Sequence, residues 1–190
     1  MMYLFVDTET TGLPPSHPSH LAQWPRLVQL GWILSEENGD VIMQDTAIVR
    51  PEGYYIPDRV TRIHGISTKQ AYEQGISLDE ALQRFSQALR YSHYLIGHNI
   101  DYDYHVLLAE FHRKRINTLF SNYPRFCTMK SPKVLEFVRI MRGTNHCQYP
   151  KLSDLYRLLF DERAQGSHDA LADAKTCADC FFQLKEIGVI

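Results

Sequence analysis

Apolar and polar positions along the chain alternate between two rhythms. Tyr3-Leu4-Phe5-Val6 is a short apolar run that ends in acid at Asp7-Thr8-Glu9, the pattern of a strand. Leu27 to Leu34 reads as a second strand, Glu37-Asn38-Gly39-Asp40 as a turn, and Val41 to Val49 as the returning partner. Together these predict an antiparallel three-stranded start. The period then becomes helical: Leu78, Ala81, Leu82, Phe85, Ala88 and Leu89 make one stripe, opened by Ser77 with Glu80 three residues on, the spacing of a capping box. Tyr94-Leu95-Ile96-Gly97 is a strand handing over to a helix through Val106 to Phe111, whose end, Arg113-Lys114-Arg115, reads as a solvated terminus. Arg125 to Met129 predicts a further buried strand, Lys133 to Arg139 a short helix, Leu152, Leu155, Leu158 and Leu159 a buried helical face, and Ala170 to Glu186 the last helix.

The interruptions are as informative as the runs. Leu13 to Arg26 holds Pro14, Pro15, Pro18 and Pro25, which exclude a regular helix or central strand, so this is a surface loop beside the first acids; His17 and His20 read as solvated. Arg59 to Ser67 is a short amphipathic turn of helix stopped by Gly65, with His64 facing either core or cleft. Gly143 to Pro150 is a loop in which His146 and Cys147 look incidental, and Gly166-Ser167 breaks the chain before His168. No repeat or linker divides the sequence, so residues 1–190 are expected to form a single domain.

Composition adds limits. With 44% hydrophobic residues the chain can fill one core. Twenty Lys and Arg against 22 Asp and Glu give a formal charge of −2, which argues against gripping nucleic acid by net positive charge but leaves room for a basic rim or bound cations. No run of about 18 apolar residues offers a membrane span, and the first residues lack the charged start of a signal peptide, so a cytoplasmic protein is expected. The C-x-x-C of Cys177 and Cys180 falls inside the last helical stretch, where it reads as buried free thiols rather than a redox or zinc motif.

The candidate chemistry lies in three separated pieces. Side chains alternate along a strand, so Asp7 and Glu9 share a face and offer carboxylate oxygens of the kind that suit Mg²⁺ or Mn²⁺. Asn99, Asp101 and Asp103 stand where a strand hands over to a helix, a usual place for ligands, although either acid could simply complement the positive end of the helix dipole. His168 precedes the last helix and Asp173 lies within it; Ala170, Ala172 and Ala174 would let that helix approach the sheet closely.

The motifs D-x-E-T-T-G at Asp7, H-N-x-x-Y-D at His98 and H-x-A-x-x-D at His168 resemble the histidine subgroup of the DEDD 3′–5′ exonucleases, which includes the proofreading epsilon subunit of bacterial DNA polymerase III, ribonuclease T and oligoribonuclease. The likeness runs from Tyr3 to about Leu184, and Ile63-His64-Gly65-Ile66 is similar to a segment of the epsilon-like branch; Tyr102 stands where many members have Phe. It implies a ribonuclease H-like mixed sheet, three antiparallel strands followed by parallel ones, flanked by helices. It assigns two divalent cations, Mg²⁺ or Mn²⁺, to Asp7, Glu9, Asp103 and Asp173, leaving Asp101 as a helix-start residue. The tyrosine branch would have Tyr at position 169, where Asp169 stands, whereas His168 lies five residues before Asp173 as the histidine branch requires and would be the general base. Thr10, Gly12, Leu13, His64 and Asn99 would meet the 3′ end of a single strand, with Leu13 wedged against a terminal base. The implied reaction releases nucleoside 5′-monophosphates, from DNA in preference to RNA; the alternatives are an RNA-trimming or oligoribonucleotide exonuclease and a catalytically inactive nucleic-acid-binding module. A polymerase or replication partner is the association that the epsilon-like branch suggests.

Overall fold

Both alternating sets of residues in the first strand are apolar, so that strand must be covered on both faces. It is. β1 (Met2–Thr10) lies between β2 (Leu27–Glu36), itself paired with β3 (Val41–Ile48), and β4 (Tyr94–Gly97), which pairs with β5 (Arg125–Cys127). The order is β3-β2-β1-β4-β5, with β1, β2 and β3 antiparallel and β4 and β5 running parallel to β1. The computed structural model describes residues 1–116, 120, 123–144, 148–164 and 168–190; His146, Cys147, Gly166 and Ser167 lie outside the described residues.

Leu4 and Val6 face a core filled by α3 (Leu78–Tyr91) and α4 (Ile100–Arg113), with Leu82, Phe85, Leu107 and Phe111. Tyr3 and Phe5 face α7 (Ala170–Glu186), meeting Cys177 and Phe181. α5 (Pro132–Arg142) and α6 (Leu152–Phe160) cover the outer side of α7 through Val134, Val138, Leu155 and Leu184. α1 (Asp58–His64) and α2 (Thr68–Gln74) close a smaller cluster around Val28. The result is the expected α/β mixed sheet flanked by helices.

Several local readings need correction. Arg113-Lys114 is not a solvated terminus: the Arg113 guanidinium donates to the carbonyls of Trp24 (2.5 Å) and Ala22 (3.2 Å), and Lys114 pairs with Glu52 and Asp79. The Arg113 bonds fasten the proline-rich loop, which contains one 3₁₀ turn at Leu21–Gln23, to α4. At α3 only half of the capping box forms; Ser77 Oγ accepts the Glu80 N–H, while the Glu80 carboxylate is taken by Arg84 at 2.6 Å. β5 is a half-buried edge of three residues rather than a buried strand through Met129. α2 was missed because it buries only Ala71 and shows no apolar period; its signal was the Ser67 cap, which accepts the Gln70 N–H. Cys177 and Cys180 are buried free thiols, and Cys127 is half-buried. Among the described residues no helix is long and apolar enough to cross a membrane.

Candidate active site

The cleft opens where β4 stops. β1 pairs with β4 only as far as Phe5↔Ile96, yet β1 runs on to Thr10, so Asp7 and Glu9 project beyond the parallel neighbour. Alternation turns both towards the face covered by α7, and turns Thr8 and Thr10 towards the face of α4. The β4–α4 handover is tight, with Asn99 in the left-handed region at φ 74° as the residue before the helix. One turn later Asp103 is only 3% exposed, and the Thr8 hydroxyl donates to its Oδ1 at 2.7 Å. Asp101 goes elsewhere, to Lys130 at 3.0 Å. The structure therefore brings Asp103, not Asp101, to the first acid pair.

α7 reaches the same place by backbone contact. Gly31 stands opposite Asp7 in the β1–β2 register, and a Cβ there would lie 2.3 Å from the backbone of Ala170 and Leu171. Gln29, opposite Glu9, fixes the start of the helix: its Nε2 donates to Asp169 Oδ2 at 2.8 Å and its Oε1 accepts the Ala170 N–H at 3.1 Å. Asp169 is also the helix cap, accepting the Ala172 N–H. With α7 so placed, Asp173 Oδ2 accepts the His168 backbone N–H at 2.9 Å, His168 itself lying at φ 69°. A carboxylate oxygen of Glu9, a ring nitrogen of His168 and a carboxylate oxygen of Asp173 all lie within 4.8 Å of one another.

This gathering of acids is electrostatically unfavourable on its own. Burial raises the Asp7 carboxyl well above its usual range, and Asp103, Asp173 and Glu9 add to the rise. Glu9 is pushed up to about 7 by burial and then by Asp173 and Asp103. Asp103 also reaches about 7 through burial, although the Thr8 hydroxyl pulls it back. Asp173 is raised by burial and held down in part by the His168 N–H. Carboxylates that resist ionising for want of positive charge are a fitting donor set for hard divalent cations, and all the acids offered are oxygen ligands.

The residues expected to meet a strand come from the end of β1, the loop after it, α1 and the β4–α4 handover. Gly12 adopts φ 147°, and its carbonyl accepts from Thr10 Oγ1 (2.8 Å) and from the Tyr102 hydroxyl (2.6 Å). The Tyr in place of the commoner Phe thus ties down the loop. Leu13 is 81% exposed. His64 is buried, with Nδ1 accepting the Ile66 N–H and Nε2 making no hydrogen bond within normal geometry among the described residues; burial lowers its pKa, the nearby Thr10 backbone offsets this, and His168 adds to it. It faces the cleft. Asn99 is half-buried and makes no side-chain cap bond. Sequence reasoning missed Thr8, Gln29 and Asp169, and also Glu110, fully buried, whose Oε1 accepts from Arg26 Nε and the Leu27 N–H at 2.9 Å each. The available signal was a polar residue inside an apolar run, at Gln29 and Glu110 alike.

The exonuclease family model RNase T matches residues 4–181. The chain belongs to the RNase T exonuclease family. Among solved structures, the zinc-bound Escherichia coli exonuclease I complex with single-stranded DNA is similar at a TM-score of 0.79 and 19% identity, covering 98% of this chain and 41% of that one. The E. coli exonuclease I complex with a dT13 oligonucleotide matches at a TM-score of 0.76 and 20% identity, covering 97% and 41%. At this identity the likeness is one of fold, and the chain spans about two fifths of the length of these structures. Comparison with curated protein sequences gave no match.

Proposed function

We propose that residues 1–190 form one exonuclease domain of the histidine subgroup, which removes nucleoside 5′-monophosphates one at a time from the 3′ end of single-stranded DNA. The observation that carries this reading is the convergence of Asp7, Glu9, Asp103 and Asp173 on one cleft with His168 at its rim. Asp7, Glu9, Asp103 and Asp173 would hold two divalent cations, Mg²⁺ or Mn²⁺. Bound there, the cations would supply charge neutralisation at the phosphate and a water of lowered pKa.

The chain's own residues do the rest. The exposed His168 imidazole takes the proton from the attacking water and releases it to solvent, a step worth on the order of 10²–10⁴ in rate. Thr8 and the His168 N–H orient the Asp103 and Asp173 carboxylates. Thr10 and Gly12, held by Tyr102, present backbone and hydroxyl to the terminal sugar. Leu13 supplies an exposed apolar wedge for an unpaired base, which needs no sequence preference. The neighbouring structures bind single-stranded DNA oligonucleotides, in keeping with this substrate.

The test is time-resolved digestion of matched 3′-labelled and 5′-labelled single-stranded DNA and RNA, with Mg²⁺, Mn²⁺ or chelator, beside Asp7→Ala. Metal-dependent shortening from the 3′ end, faster on DNA and absent in the folded variant, is expected. Faster cleavage of RNA would overturn the substrate, and undiminished activity with chelator the metal dependence.

A further inference from the structure

α1 is a seven-residue helix with two working faces. Val60 and His64, four residues apart, point inward, and His64 sits beside the Thr10 backbone. Arg59, Arg62 and Ile63 point outward, at helical spacings of three and four. Arg59 is the one of these that returns to the site. Its Nη2 lies 2.9 Å from where a Cβ on Gly12 would be, so the guanidinium rests against the loop carrying Thr10, Gly12 and the exposed Leu13. No carboxylate among the described residues pairs with it, although most other arginines of the chain have such a partner or a carbonyl. An exposed, unpaired guanidinium at the mouth of an acidic cleft is placed to receive an anion.

We propose that Arg59 is a strand-positioning residue that binds a backbone phosphate of the single strand entering the site, upstream of the bond being cut. This rests on the proposed function above. The cleft is rich in carboxylates and repels an incoming phosphate chain, so a fixed cation is most useful just outside the acids, where the chain approaches. Arg59 is there, and guanidinium offers paired N–H donors matched to two phosphate oxygens. A Cβ at Gly12 would meet the guanidinium, the movable end of a long side chain, so the contact marks where Arg59 lies. α1 thereby contributes two side chains to this region, His64 beside the Thr10 backbone and Arg59 beside Gly12.

The experiment compares wild type, Arg59→Ala and Arg59→Lys on fluorescently labelled single-stranded oligodeoxythymidine. Binding is read by anisotropy over a salt series with Ca²⁺, and turnover separately as KM and kcat with Mg²⁺. Each phosphate contact on a single strand contributes about 0.7 to the slope of log K against log salt, so Arg59→Ala should flatten the slope by about that amount. KM should rise roughly tenfold, as for loss of one charge-assisted contact, with kcat little changed and the unfolding temperature the same. Arg59→Lys should restore the slope but only part of KM, since an ammonium keeps the charge and loses the fork. A neutral methylphosphonate at the contacted linkage should weaken wild type and leave Arg59→Ala unaffected. An unchanged slope and KM in a folded Arg59→Ala protein would overturn the proposal. Wild type that binds the strand without shortening it would instead overturn the exonuclease substrate reading, with Arg59 still judged by the slope.

Discussion

Asp7 is surrounded by like charge from four other carboxylates, which makes it the residue whose replacement separates function from stability most cleanly. Asn keeps the shape and removes the charge. Asp7→Asn should therefore lose detectable turnover while the metal-free protein unfolds at a temperature a few degrees higher at pH 8, since about 1 kcal/mol corresponds to roughly 2–4 °C for a chain of this size. A melting scan with chelator decides this, and a lower unfolding temperature would mean that the carboxylate is needed for the fold. His168 calls for a different readout because its ring nitrogen lies among the possible ligands. As the base, its change to Ala should lower kcat by about 10²–10⁴ and leave Mn²⁺ affinity nearly as it was. Calorimetric titration with Mn²⁺ would expose a ligand instead, through a large loss of affinity.

Among the elements, α7 decides whether the site exists, and it is set by two residues of β2. Gly31→Ala would drive a methyl group into the backbone of Ala170 and Leu171, neither of which has a flexible end to move aside. Overpacking of this kind costs about 1–3 kcal/mol. Because the displaced turn carries Asp169 and leads to Asp173, activity should fall together with the melting temperature; a stable variant with full kcat would show that α7 can shift without cost to the site. The strands and the main helices were legible because their apolar residues keep period two or three to four, and the shared face of Asp7 and Glu9 followed from alternation. Asp103 was distinguishable from Asp101 only by family resemblance, since both sit in the first turn and nothing local shows which one is buried. Gln29 and Glu110 were not read, and Arg113 was misread as solvated, because their partners, at Asp169, Arg26 and Trp24, lie 140, 84 and 89 residues away. A long-range polar contact leaves no periodic trace; only the oddity of Gln or Glu in an apolar stretch hints at it.

At the scale of the molecule, the concentration of acid in one cleft couples stability to pH and to metal. Glu9 and Asp103 titrate near 7 in the fold, and Asp7 and Asp173 are also raised, whereas in the unfolded chain such groups titrate near 4. Between those values the folded chain holds protons that the unfolded chain has released. Stability from these groups is therefore fully present below about 4 and is lost as pH rises through about 7. The metal-free protein should unfold at a lower temperature at pH 8 than at pH 5.5, and Mg²⁺ or Mn²⁺ should raise the unfolding temperature at pH 8 far more than at pH 5.5, because each ion must displace the protons that the acidic solution supplies. Surface pairs such as Glu136 with Arg139 act in the opposite sense, as the lowered pKa of Glu136 indicates, but they are exposed and do not respond to the metal. Asp7→Asn isolates the site's share: with one of the raised carboxyls gone, both the pH slope and the response to Mn²⁺ should shrink together. Melting curves of the two proteins over pH 5 to 8, with chelator and with Mn²⁺, make the comparison. A slope that survives in Asp7→Asn unchanged would place the titrating groups elsewhere in the chain.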